Sequence, residues 1–153
     1  SSFETNLEEF LRSLDAVEDD AELWEPLLHE NVVFEMPFAD RTNIPSHVTG
    51  KAACLEYLRE WYNLFADFSI YDMKVRRMEE HGAYVLEYRT KGFVAATAKP
   101  YNQNNIAIIK VKDHKVIFFR EYWNPMHLME AFGEGFNFQL NLNFMDVKSI
   151  DPF

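Results

Sequence analysis

A chain of 153 residues fits one domain and is long enough to bury a core. Nearly half of its residues are apolar and 16% are aromatic, which excludes disorder over most of its length. The formal charge of −10, with no basic run, argues against nucleic acid or an anionic membrane surface as partner. A single cysteine, Cys54, forms no internal disulfide and cannot by itself build a thiolate metal centre. It reads as a small buried hydrophobe. No apolar run reaches the length of a membrane span and no signal peptide opens the chain, so a soluble, cytoplasmic protein is expected.

The periodicity predicts helix from Ser1 to Leu28. Leu7, Phe10, Leu11 and Leu14 form one apolar stripe, and Leu23, Trp24, Leu27 and Leu28 a second after the break at Asp19-Asp20. Asn31 to Phe38 reads as a strand closed by Pro37 and a polar loop to Gly50. Gly50-Lys51 opens a helix to about Phe65, with Leu55, Leu58, Trp61, Tyr62 and Phe65 on its apolar face. Tyr57 and Trp61 lie one turn apart and either pack in the core or line a pocket.

Four strands follow, Phe68–Met78, Ala83–Val94, Asn102–Lys112 and Lys115–Trp123, with connections short enough for an antiparallel meander. Asn124-Pro125 stops the last one and Met126 to Phe132 reads as a short helix. The tail from residue 133 to 153 is apolar and aromatic, which suits packing on the domain or on a second subunit. The whole is one α+β domain, a curved antiparallel sheet with helices on its concave face and a cone-shaped pocket between them.

The final hairpin orders the candidate residues. A two-residue turn at Asp113-His114 pairs Lys112 with Lys115. Unbroken alternation then sets Ile108 against Phe119, Ile106 against Glu121 and Asn104 against Trp123. Glu121 would share a face with apolar groups, where burial raises an acid's pKa toward a useful range for proton transfer. That face is either the pocket or a solvent or dimer face. Glu35, between Phe34 and Met36, is either a second pocket acid or points to solvent. Glu87 and Arg89 read as a surface or dimer ion pair. His127 and Glu130 lack further metal ligands, and neither a metal nor a cofactor is expected.

The run Arg120-Glu121-Tyr122-Trp123-Asn124-Pro125, with Lys99-Pro100-Tyr101-Asn102-Gln103 before it, resembles the SnoaL-like (polyketide cyclase) branch of the nuclear transport factor 2-like superfamily. Phe34-Glu35-Met36-Pro37-Phe38 and Gly50-Lys51 look like that family's first strand and the helix after it. The resemblance implies a curved sheet, a deep pocket facing Glu121, and usually a homodimer. The phenazine-biosynthesis A/B proteins are similar from Tyr101 to Asn124. Their active-site glutamate falls on Glu121 and their histidine on Tyr57, a donor that carries no positive charge near neutral pH. Limonene-epoxide hydrolase is similar over the last two strands. One of its acids falls on Glu121, but its arginine and second acid fall on Tyr88 and Thr90, so epoxide hydrolysis is not expected. The ketosteroid isomerase base falls on Met36, which disfavours that reaction too.

The implied function is an isomerase, cyclase or lyase acting on a small, partly apolar carbonyl compound. Glu121 would carry the proton, and Tyr57, Gln103 or Asn104 would hold the oxygen. Met36, Phe38, Trp61, Tyr88, Ile106, Phe119 and Trp123, with Glu35, complete the expected pocket. The alternatives are a module that only binds a hydrophobic ligand, and a dimerisation domain with a filled pocket.

Overall fold

The structure, a computed structural model, describes residues 21–133 and 146–147. Most of the first expected helix (residues 1–20) and most of the aromatic tail lie outside these residues. Ala21–Leu27 is a 3-10 helix rather than the end of a long α-helix. Pro26 within it removes a backbone donor, and the chain passes directly into strand β1, Leu28–Glu35. Strand β1 thus starts and ends three residues before the expected one, because Pro37 opens a short 3-10 helix, Pro37–Arg41. Strand β2 is His47–Thr49, and helix α1 is Lys51–Asn63.

The meander follows as β3 (Phe65–Arg77), β4 (Ala83–Val94), β5 (Pro100–Lys112) and β6 (Lys115–Tyr122). Helix α2, Pro125–Phe132, is capped by the Asn124 side chain, which accepts from the Met126 N–H. A two-residue strand β7, Asp146–Val147, completes a seven-stranded sheet of order β3-β4-β5-β6-β1-β2-β7. The meander is antiparallel throughout, whereas β1 joins β6 in parallel. Among the described residues no helix is long and apolar enough to cross a membrane.

Alternation along β4 and β5 separates two faces. Leu86, Tyr88 and Thr90, with Tyr101, Gln103, Asn105, Ala107 and Ile109, turn inward and are buried. Helix α1 packs against β1 and the Ala21–Leu27 helix, burying Cys54, Tyr57 and Leu58. The Cys54 thiol faces the carbonyl oxygens of Val48 and Val32, and burial pushes its pKa up to about 12, as expected of an inert core cysteine.

Two irregularities in β3 bend the sheet. One lies between Ala66 and Ser69 and the other between Tyr71 and Lys74. Asp67 and Asp72 adopt positive φ there, which aspartate tolerates better than most residues. At the first, Asp67 and Phe68 together oppose Gly92. A Cβ on Gly92 would stand 3.2 Å from Phe68 Cα and 3.3 Å from the Ala66 carbonyl oxygen. Both are backbone atoms that cannot move aside alone. Gly92→Ala is expected to destabilise the fold by about 1–3 kcal/mol through this crowding, measured by urea denaturation. An unchanged midpoint would show that the bulge is not tightly packed.

Candidate active site

The concave face of the sheet, α1 and Trp24 enclose an aromatic cavity. The volume open to the centre of a water-sized sphere is about 50 Å³. One water needs on the order of 10–15 Å³ on that scale, so in this conformation the cavity suits a few waters or a very small molecule. Its lining includes Phe34 and Met36 from β1, Tyr57, Trp61 and Tyr62 from α1, and Tyr88 and Thr90 from β4. Tyr101 and Asn105 of β5, Phe119 and Glu121 of β6, and Trp123 just beyond also face it. No lysine, arginine or histidine lines it among the described residues.

Among the described residues Glu121 is the one carboxylic acid on this wall. By area it is half-buried, and it lines the cavity. Burial raises its pKa from the ordinary 4.5 to about 7, opposed by a hydrogen bond from Tyr88. The Tyr88 hydroxyl donates to Glu121 Oε2 from two strands away. Burial, and then the negative charge of Glu121, pushes the Tyr57 and Tyr88 phenols well above their ordinary value. Tyr101 shifts upward for the same first cause. These hydroxyls therefore stay protonated at neutral pH and can donate.

Eight of the twelve predicted positions touch or serve this wall in some way, but four do not. Glu121, Tyr57, Met36, Trp61, Tyr88, Phe119 and Trp123 line the cavity. Gln103 is buried beside it, yet it serves the framework. Its amide donates to the Asn124 carbonyl at 2.8 Å and accepts from the Asn124 N–H at 2.9 Å, fastening α2 to β5.

Glu35, Phe38, Asn104 and Ile106 lie elsewhere. Glu35 does not reach the cavity. It accepts from Arg120 Nε at 2.7 Å, with His47 Nδ1 3.9 Å from its other oxygen. Phe38 is 42% exposed and packs edge-on against Tyr122. Asn104 is exposed and Ile106 is 45% exposed.

The last two placements share one cause. The turn forms as expected, with Asp113 and His114 at positive φ and Lys112 opposite Lys115. The ladder then slips: Val111 faces Val116, but Lys110 faces Phe118. Ile117 is the extra residue of a β-bulge, and beyond it every pairing moves by one. Glu121 sits opposite Ala107 rather than Ile106. Asn105, not Asn104, faces the cavity, where its amide donates to Thr90 Oγ1 at 3.3 Å. Asn105 was missed for this reason, and the local composition gives no sign of a bulge at Ile117; Thr90 and Tyr101 follow from Tyr88 and Gln103 by alternation along β4 and β5. Glu87 and Arg89 do not pair with each other. They face Arg76 and Asp72 across β3, since cross-strand neighbours on one face lie closer than residues two apart along a strand.

Among the described residues no group of three or more His, Cys, Asp and Glu side chains is placed to hold a metal ion. Comparison with known proteins places this geometry. Residues 7–119 match the SnoaL-like domain family. The uncharacterized protein YesE of Bacillus subtilis (strain 168) is 33% identical over 120 residues, 78% of this chain and 81% of that protein. A solved structure of a proposed isomerase from Bacillus subtilis is also 33% identical, with a TM-score of 0.73 over 86% of this chain and 94% of that one. A phenazine biosynthesis-related protein from Pseudomonas aeruginosa shares the fold at 16% identity, with a TM-score of 0.71 over 94% and 90% of the two chains. The chain belongs to the SnoaL-like domain family and has the nuclear transport factor 2-like fold.

Proposed function

We propose that the protein is an acid–base isomerase, cyclase or lyase for a small, largely apolar carbonyl compound, with Glu121 as the proton carrier. The observation that carries this is the Glu121 carboxyl on an aromatic cavity wall, where burial pushes its pKa up to about 7. A group poised there supplies both protonation states at physiological pH. In the ionised form, Glu121 takes a proton from the carbon next to the carbonyl. The electron pair of that C–H bond moves toward the carbonyl oxygen. The protonated Tyr57 hydroxyl or the second N–H of the Asn105 amide can donate to this oxygen as its charge grows, while Tyr88 keeps its hydroxyl on Glu121. Glu121 then returns the proton to another carbon, or to a leaving group, which separates isomerase from lyase chemistry. Gln103 and Asn104 have no part in this step, because one fastens α2 and the other faces outward.

A binding-only role is the second reading. The observation in its favour is the lining itself, in which ten of the eighteen described residues are aromatic and Glu121 is the one acid. In that case Glu121 orients the ligand without exchanging its proton. In either role we propose a homodimer as the working form.

The acid also sets a pH dependence of stability. Between 4.5 and about 7 the folded chain holds a proton that the unfolded chain has released. Stability therefore falls as pH rises through this window, by up to about 3 kcal/mol once the folded group is ionised. Glu121→Gln removes the ionisation. It is expected to match the wild type near pH 4, below the ordinary 4.5, and to exceed it at pH 8 by up to that amount, read from urea midpoints. Equal pH dependence in the two proteins would sink the assignment of a buried ionisable Glu121. Tyr88→Phe deletes the hydrogen bond that favours the ionised form, so the Glu121 carboxyl should titrate above 7 by carbon-13 NMR. A lower value would contradict the geometry.

Chemistry and binding separate in heavy water. The wild type should accelerate deuterium uptake next to the carbonyl of small ketones such as cyclohexanone. Glu121→Gln should lose about 10²- to 10⁴-fold of that acceleration. Ketones that bind without any accelerated exchange would instead favour the binding-only reading.

A further inference from the structure

Trp123 stands apart among the residues that line this same cavity. The residue is 3% exposed and lines the cavity. Its indole Nε1 is buried and has no acceptor among the described residues. The contrast is Trp24, whose Nε1 donates to the Tyr62 hydroxyl at 2.9 Å. A buried N–H without an acceptor is costly, and native structures rarely keep one without a use. Nor is the ring loosely held. It stacks on Trp61 at 6.5 Å between centroids and 26° between planes, and Trp61 is in turn wedged against Phe65 and Tyr101. The main chain after it is fixed by the paired hydrogen bonds between Gln103 and Asn124.

We infer that Trp123 is a specificity-determining donor, and that the cavity selects a small neutral molecule with an oxygen acceptor set against its indole N–H. The inference rests on reading the cavity as a ligand site, and it names the feature the ligand must carry. Indole donates and cannot accept, so an apolar group or a pure donor gains nothing there. A carboxylate would accept well, but it would share the cavity with Glu121 and find no cationic side chain among its described lining residues. A neutral carbonyl or ether oxygen meets both conditions. Glu121 and Trp123 sit two positions apart on one face, roughly 7 Å along the strand. A ligand of ring size can therefore touch the indole with its oxygen and present a C–H bond to the carboxyl.

Nitrogen-15 spectra of the full chain resolve the indole N–H signals directly, and Trp123→Phe identifies the one that belongs to Trp123. Two probes of nearly equal shape are titrated: cyclohexanone and methylenecyclohexane, which carries CH₂ in place of the oxygen. The Trp123 signal is expected to move downfield with cyclohexanone and to stay nearly still with methylenecyclohexane. Trp123→Phe should weaken cyclohexanone binding about 10-fold, the loss of one net hydrogen bond, and leave the hydrocarbon unchanged. If both probes bind but shift the Trp123 signal alike, or the variant binds both as before, the donor role is wrong while the ligand cavity stands. If neither probe perturbs any cavity residue, the ligand-site reading fails and this inference fails with it. If that variant does not fold, Trp24→Phe and Trp61→Phe assign the other two of the three indole signals, and the wild-type spectra still decide the matter.

Discussion

The slip at Ile117 is the constraint on which the site depends. Strands β5 and β6 leave their turn in simple register, and one extra residue changes which side chains meet. Beyond the bulge, the inward set of β6 stands opposite the buried odd-numbered residues of β5. Phe119, Glu121 and Trp123 thereby join Tyr101 and Asn105 on one wall. Because side chains alternate with a period of two, any further slip of one would exchange the cavity wall for the outer face. The buried apolar groups on the inward face of β5 and β6, Phe119, Ala107 and Ile109, oppose such a slip.

Once the wall is set, the electrostatics follow from solvation. A carboxyl surrounded by rings loses water, and its protonated form gains relative stability. The Tyr88 hydrogen bond pulls the other way and keeps the shift moderate. The outer face shows the contrasting outcome. Glu35, in the neighbouring strand, meets Arg120 at 2.7 Å and is balanced by a formal opposite charge. Two glutamates close to each other in the fold thus have different work: one holds the outer surface of β1 to β6, and the other faces a cavity with no cationic side chain among its described lining residues. The same logic separates Gln103 from Asn105. Both amides are buried on β5, but Gln103 is bound to the main chain at Asn124 and Asn105 remains on the cavity wall.

The sequence by itself determined the α+β class, the four-strand meander, the Asp113-His114 turn and the inward set of Glu121, Phe119 and Trp123, helped by the family resemblance. Hydrophobic periodicity and turn chemistry are local, so they are written in short stretches of residues. Tertiary structure decided the partners. Tyr88 and Glu121 lie 33 residues apart, and only the order and register of three strands bring them together. Glu35 reads as well for a pocket as for solvent until β1 is laid parallel to β6 beside Arg120. Asn104 and Asn105 are alike in sequence, and which one faces the cavity rests on a single bulged residue across the sheet. Residue types show what chemistry is available, but long-range register decides which groups meet, because that choice is made by burial summed over the whole sheet.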